Sequence, residues 1–461
     1  MAPERFSSVA LAAALVLFAA AHVPLLSLPF HWDELGYFIP AALDLWRDGH
    51  LVPQTTLANI HPPGVPLYLA GVWTIFGYSI AVTRAAMLVL AIVTALASWS
   101  LARRLGVASP LAAVVFLLAS PLFFMQAMMA QLDMPAMLFT TVALLYFLAG
   151  RLGPALVVCV LLVLAKETGL IAPMVLAGWL ALDRRYRWAA AFALLPAAVL
   201  LAWILYLRQH TGLSVGNAEF GWYNLVYPLH PVRLAAAVLR RVSYLFFEEF
   251  RWIPTLVLLL SARRTWSAPS RPWRVVLSFA VLHVAGVTVV GGAVLERYLL
   301  PALPILYAAA ARVLEGRPAL QAALAAGLVA SLFLNPPFWP FPHENNLAMV
   351  DFVRLQQIAA ADLETRYPAT PVFTTWPLSD ALKRPELGYV SRPLTVSEAP
   401  EGAVYVVYST DWDPPANLIR LAPVRALVTR YFMQKPPRRP SGRALDKRWE
   451  QKGFWLEVYR P

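Results

Sequence analysis

Charge is scarce in this sequence. Asp, Glu, Lys and Arg together make up 14% of its 461 residues, where a soluble domain carries about 25%. Hydrophobic side chains make up 59% and the mean hydropathy is +0.59. So little charge excludes a freely soluble protein and predicts an integral membrane protein. Cysteine is nearly absent. Cys159, alone in the chain, excludes an internal disulfide, and in its apolar run LVVCVLLVLA it has no partners at metal-ligand spacing. The formal net charge of +12 does not indicate nucleic-acid binding, because the basic residues stand singly or in pairs between apolar runs and form no patch.

A bilayer-crossing helix needs about 20 mostly apolar residues. Such runs predict eleven spans, near 6–28, 79–102, 108–126, 134–150, 154–165, 168–183, 188–207, 252–262, 273–293, 298–312 and 318–335. Two of these, 154–165 and 252–262, are short and are expected to begin or end inside the protein. With the N-terminus in the cytoplasm, the cytoplasmic connections hold Arg103 and Arg104, Arg151, Arg184, Arg185 and Arg187, Arg263, Arg264, Arg271 and Arg274, then Arg312 and Arg317. The opposite connections hold Asp133, Lys166–Glu167 and Glu296–Arg297. Arginine thus gathers on one face, as the positive-inside rule demands. The first run also has signal-peptide features, with Arg5 ahead of it and Ala19-Ala20-Ala21 as a cleavage site; cleavage would invert the starting side and leave the outer loops outside.

Between these runs, residues 29–78 form a long outer loop, in which EL-YFIPAALDLW and PPGVPLYLAGVWTIFG predict two surface helices. Residues 208–251 form a second, rich in Trp, Tyr and Glu. The sequence divides into a transmembrane domain over 1–335, a linker over 336–346 within the proline-stiffened NPPFWPFPHENN, and a soluble domain over 347–461. The last combines the helical LAMVDFVRLQQIAAADLETRY with strand-like PVFTT, AVYVVYS and FWLEVY, and predicts a small α/β unit on the outer face. Its segment QKPPRRPSGRALDKR reads as a solvated loop or a contact for anionic lipid headgroups.

Asp33, Glu34, His61, Asp133, Lys166, Glu167, Glu296 and Arg297 all fall near span ends on the outer face. Each has a purely structural alternative. Asp133 before Met134-Pro135 caps a helix; Glu167 complements a helix dipole; Glu296–Arg297 forms an interfacial ion pair; His61 occupies a loop; Asp33–Glu34 caps the surface helix. Lys166 at a helix start has the wrong sign for the dipole and calls for another role. As a set they supply a carboxylate base for a hydroxyl and cations for a phosphate. Such a kit suits a donor with its tail in the bilayer and a phosphate at the surface, such as a lipid-linked sugar. Glu34 and Asp133 are also chemically able to hold a divalent cation, although no spacing requires one.

Five stretches, HWDELGYFIPAALDLWRDG, NIHPPGVPLYLAGVWTIFGYSIAVTR, QLDMPAMLF, KETGL and ERYLLPALPILY, resemble, in this order, the polyprenyl-phosphate-dependent glycosyltransferases of the membrane-embedded C type. That superfamily includes protein O-mannosyltransferases, the aminoarabinose transferase of lipid A and lipopolysaccharide galacturonosyltransferases. The resemblance covers roughly residues 25–335. It implies an outer cavity roofed by two surface helices, with Asp33 as catalytic base, Glu34 and Asp133 as further acidic residues on the acceptor side, and Lys166, Arg297, Tyr298 and His61 on the donor phosphate. Tyr37, Arg84, Glu167 and Glu296 are further candidates. The HPP at 61–63 is like the mannosyltransferase form; the aminoarabinose branch tends to have Lys at His61, and many bacterial members have Arg at Gly36.

The expected activity is an inverting transfer of a sugar from a polyprenyl phosphate to a lipid A, glycolipid, glycan or protein hydroxyl. Membrane lipids are the expected surroundings. Ala- and Arg-rich composition suggests a bacterial inner membrane with the site facing the periplasm. The alternatives are a transporter or flippase of a lipid-linked saccharide, which would place its polar groups near the bilayer midplane, and a non-catalytic assembly subunit, which leaves Asp33–Glu34 without a task.

Overall fold

Apolar runs punctuated by proline, glycine and arginine fold into helices that end where those residues stand. A computed structural model describes residues 2–265, 269–334, 343–409 and 439–461. Helix α1 spans Ala2–His22. The chain then turns over the surface through a π-helical turn at Glu34–Phe38 into α2, Ile39–Asp48, which stops at Gly49 with φ 73°. Helix α3, Gly64–Phe76, completes this layer. The glycine of HPPG is needed for packing, because a Cβ on Gly64 would lie 2.4 Å from the carbonyl oxygen of Leu164.

Helix α4, Ile80–Arg104, is capped by Ser79, whose Oγ accepts from the Val82 amide at 3.1 Å. The expected single span over 108–126 is two helices, α5 at Pro110–Ala119 and α6 at Pro121–Gln126. Pro121 lacks the N–H that a continuous helix would use, and its ring disfavours helical backbone at Ser120. Then follow α7 (Asp133–Leu148), α8 (Leu152–Ala165), α9 (Ile171–Leu182) and α10 (Tyr186–Thr211). In the second outer loop lie a short α11 (Ala218–Gly221) and α12 (Pro231–Phe246). Helices α13 (Trp252–Thr265), α14 (Arg271–Val289), α15 (Leu303–Val313) and α16 (Pro318–Ser331) complete the membrane part.

By length and composition, four described helices can cross a bilayer alone: Ser8–Leu25, Ile80–Arg104, Tyr186–Thr211 and Arg271–Val289. Others are shorter for a reason. Helix α8 has 14 residues, about 21 Å, less than the bilayer's apolar thickness of about 30 Å. It ends at Lys166, whose backbone is extended (φ −158°, ψ 134°). Lys166 is thereby buried within the helical packing.

The C-terminal domain packs α17 (Ala348–Arg366) against a four-stranded sheet ordered β1-β2-β4-β3, while α18 (Leu378–Lys383) meets the π-helical turn at Glu34–Phe38. β1 (Val372–Phe373) runs parallel to β2 (Val404–Tyr408); β4 (Phe454–Tyr459) is antiparallel to β2 and to β3 (Leu445–Gln451). The LDKR that ends the basic segment, expected in a surface loop, instead opens β3, a charged edge strand, the usual guard against further strand pairing. Of the basic segment, residues 434–438 lie outside the described residues. Its other cations serve the domain itself: Arg439 and Arg448 hold Glu457, Lys447 holds Asp362, and Arg443 donates to the Ala403 carbonyl.

This domain is bonded to the surface layer. Tyr389 donates to the Phe30 carbonyl at 2.8 Å, Tyr78 to the Glu386 carbonyl at 2.6 Å, and Arg384 to Thr55. Gly64→Ala should lower stability by about 1–3 kcal/mol, the usual cost of overpacking, seen as an earlier thermal-unfolding midpoint in detergent; an unchanged midpoint would refute the contact with α8.

Candidate active site

Asp33 precedes the π-helical turn, Asp133 opens α7, and Lys166 ends α8. Arg297 and Tyr298 lie in the 3-10 turn Glu296–Ala302 that leads into α15. These four segments, distant in sequence, meet around a cavity of about 1030 Å³, at the upper end of the range for small-molecule sites. Asp33, Tyr37, His61, Asp133, Lys166, Glu167, Arg297 and Tyr298 all line it.

Arg297 is the hub. Its guanidinium pairs with Asp33 and donates to both oxygens of Glu344 at 2.9 Å; its Nε lies 3.4 Å from Asp133. Asp133 also takes the ammonium of Lys166 at 2.5 Å. Lys166 sits 4.4 Å from the centre of the Tyr298 ring and Arg297 5.7 Å from it, so the phenol bears a cation–π contact to each. His61 Nδ1 is 2.7 Å from Glu167 Oε2. Tyr37 has its phenol pushed up to about 12 by burial and by the negative charge of Asp33. Among the described residues, no group of three or more His, Cys, Asp or Glu side chains is placed to hold a metal ion.

Three expected site residues stand behind the wall. Glu34, expected on the acceptor side beside Asp33, is completely buried and does not line the cavity. Its oxygens are 3.3 Å from Arg84 nitrogens and accept from the amides of His31 at 3.0 Å and Ala130 at 2.6 Å. Arg84 spends its remaining donors on the carbonyls of Leu28, Pro29 and Met128. This pair pins the chain that carries Asp33. Glu296 likewise faces inward, receiving Arg240 at 2.5 Å and the Asn345 amide at 2.9 Å.

Other members were not visible in the sequence. Glu344 sits near the end of the expected linker, of which 336–342 lie outside the described residues, yet it is buried on the cavity wall. Helix α12 was expected only as part of a loop. Its residues Arg233, Ala237, Arg240, Arg241 and Tyr244 are buried, while Val238, Leu239 and Val242 face out. The i, i+4, i+7, i+8, i+11 spacing was the available signal, although arginine on the buried stripe inverts the usual pattern. Arg233 donates to the carbonyls of Thr288, Gly291 and Gly292, and Arg241 to that of Leu295. These arginines complete the C-terminus of α14 and hold the 290–295 wall. Trp376, from the C-terminal domain, also lines the cavity.

Glu34→Gln leaves Arg84 buried with reduced compensation and should cost about 3–5 kcal/mol; adding Arg84→Met should destabilise further, because the Leu28, Pro29 and Met128 carbonyls then lose their donors. Chemical or thermal unfolding of the full chain measures both, and equal stability of wild type and Glu34→Gln would contradict this role.

No family model matches the sequence, and no curated protein matches it. Solved structures do. ArnT from Cupriavidus metallidurans bound to undecaprenyl phosphate aligns with a TM-score of 0.57 over 98% of this chain and 98% of its own, at 14% identity. Apo ArnT from the same organism aligns at 0.54 over 96% and 97%, with 16% identity. The chain is therefore a polytopic helical membrane protein with a small C-terminal α/β domain, and its fold is that of ArnT.

Proposed function

We propose that this protein transfers a sugar from a polyprenyl phosphate to an acceptor hydroxyl, with inversion at the anomeric carbon, at the outer face of a bacterial inner membrane. The observation that carries the reading is the cluster of Asp33, Asp133, Lys166 and Arg297 on one large cavity. The shared fold with ArnT, one of whose structures is bound to undecaprenyl phosphate, supports it.

In the resting site Asp33 is occupied by Arg297. An arriving phosphodiester offers Arg297 and Lys166 a second anion and draws them from their carboxylates. Asp33, released, accepts the proton of the acceptor hydroxyl. The acceptor oxygen attacks the anomeric carbon as the bond to the phosphate oxygen breaks, and its electron pair stays on the phosphate. Polyprenyl phosphate leaves as an anion and needs no protonating acid. The cations stabilise the charge that grows on it, while His61, oriented by Glu167, and Tyr298 add hydrogen bonds. Asp133 fixes Lys166 and Arg297 relative to each other, and Glu34 and Glu296 act by positioning.

Lys166→Met should reduce transfer from a polyprenyl-phosphate sugar about 10²–10³-fold, and Asp33→Asn should abolish it while the chain still folds. Near-normal turnover by Asp33→Asn would reject it as the base.

Glu344 supplies a pH dependence. Burial pushes its carboxyl up to about 7, against the pull of Arg297 and with the help of Asp33. Above that pH it is anionic, retains Arg297 and repels the donor; below it, the neutral acid releases both constraints. Affinity for a polyprenyl phosphodiester, whose own charge is constant in this range, should therefore fall as pH rises through 7. Glu344→Gln should bind independently of pH at the tighter level, and a wild-type profile in that variant would refute the assignment.

A further inference from the structure

The C-terminal domain does more than cover the membrane part. Trp376 reaches from the segment after β1 into the cavity and is half-buried there. Its ring lies 5.7 Å from that of Trp32 at 77° and 5.2 Å from that of Tyr37 at 49°. The three rings form an angled notch directly beside Asp33. Gly36 makes it possible: a Cβ there would lie 2.3 Å from Trp376 Cζ2, so the indole fills the space of the missing side chain. Trp32 is held at φ 47°, a left-handed value that is rare and costly for a bulky residue. Packing on Gly36 seats the Trp376 indole, yet all three rings are only half-buried and border the cavity, and Trp32 stands in strained backbone.

We propose that this notch binds a sugar ring of the acceptor, so that the acceptor is a saccharide or glycolipid. The proposal rests on the reading of Asp33 as base. A pyranose presents a face of C–H groups with partial positive charge, which matches the negative face of an aromatic ring, while its edge is hydroxyls. Glu219 and Asn59 also line the cavity, and Glu219 is near enough to Tyr37 for its charge to act on that phenol. An acyl chain would bring no hydroxyl to Glu219, and a Ser or Thr side chain would leave the ring faces uncovered.

The test uses the full chain in nanodiscs and saturation-transfer NMR with hexyl β-D-glucopyranoside as probe, hexyl tri(ethylene glycol) as the tail control, and undecaprenyl phosphate titrated separately. Trp376→Leu should reduce saturation of the sugar-ring protons about 3–10-fold, while Trp376→Phe, equally apolar but with a π face, stays within about twofold of wild type. Both should bind undecaprenyl phosphate as wild type does. Equal ring signals in the Leu and Phe variants, or a tail control that responds as the glucoside does, would overturn the notch. If undecaprenyl phosphate failed to bind even the wild type, the transferase reading would fall, and the Leu–Phe contrast would still decide whether a sugar sits against Trp376.

Discussion

A buried guanidinium shared among three carboxylates governs the organisation of this molecule. Arg297 is nearly inaccessible, and Asp33, Asp133 and Glu344 surround it. A lone cation in such surroundings would cost several kcal/mol, so the segments that bring the carboxylates cannot drift apart independently. With Lys166 on Asp133, five stretches of chain are tied at one place. Three carboxylates face two cations, and their mutual repulsion leaves the cluster poised to exchange partners. That balance distinguishes it from a settled structural ion pair.

The broken helices follow from this requirement. A continuous span satisfies its own backbone and presents apolar side chains to its surroundings. To place charged groups below the surface, helices have to stop early: α8 at Lys166 and α14 before the 290–295 wall. Each stop frees backbone groups that need partners. After α14, Arg233 and Arg241 provide them, donating to carbonyls at 288, 291–292 and 295, while Arg84 serves the carbonyls at 28–29 and 128, beyond α1 and α6. Arg233 and Arg241 of α12 thus support the site through the backbone carbonyls of its wall.

The sequence revealed the apolar runs, the arginine asymmetry and most of the cavity's charged residues, because charge is rare enough in this chain for each exception to stand out. It grouped Asp33 with Glu34 since both are acidic and adjacent. Neighbours in a helical turn point about 100° apart, so one reaches the cavity and the other the interior. Glu344 was hidden in a proline-rich stretch that reads as a spacer. The α12 stripe was hidden because its apolar side faces outward and its arginines inward, the reverse of a soluble surface helix. Strand β3 was masked by its charges, which an edge strand tolerates on both faces. Trp376 carried no local signal; only the docking of the C-terminal domain over Gly36 reveals it.

The central claim is that the cluster exchanges a carboxylate for the donor's phosphate. Undecaprenyl phosphate affinity measured for wild type, Asp133→Asn and Arg297→Met tests it by sign. Removing the negative charge of Asp133 should tighten binding, and removing Arg297 should weaken it, each by about tenfold or 1.4 kcal/mol. Affinities that all stay at the wild-type value, or an Asp133→Asn variant that binds more weakly, would contradict the account.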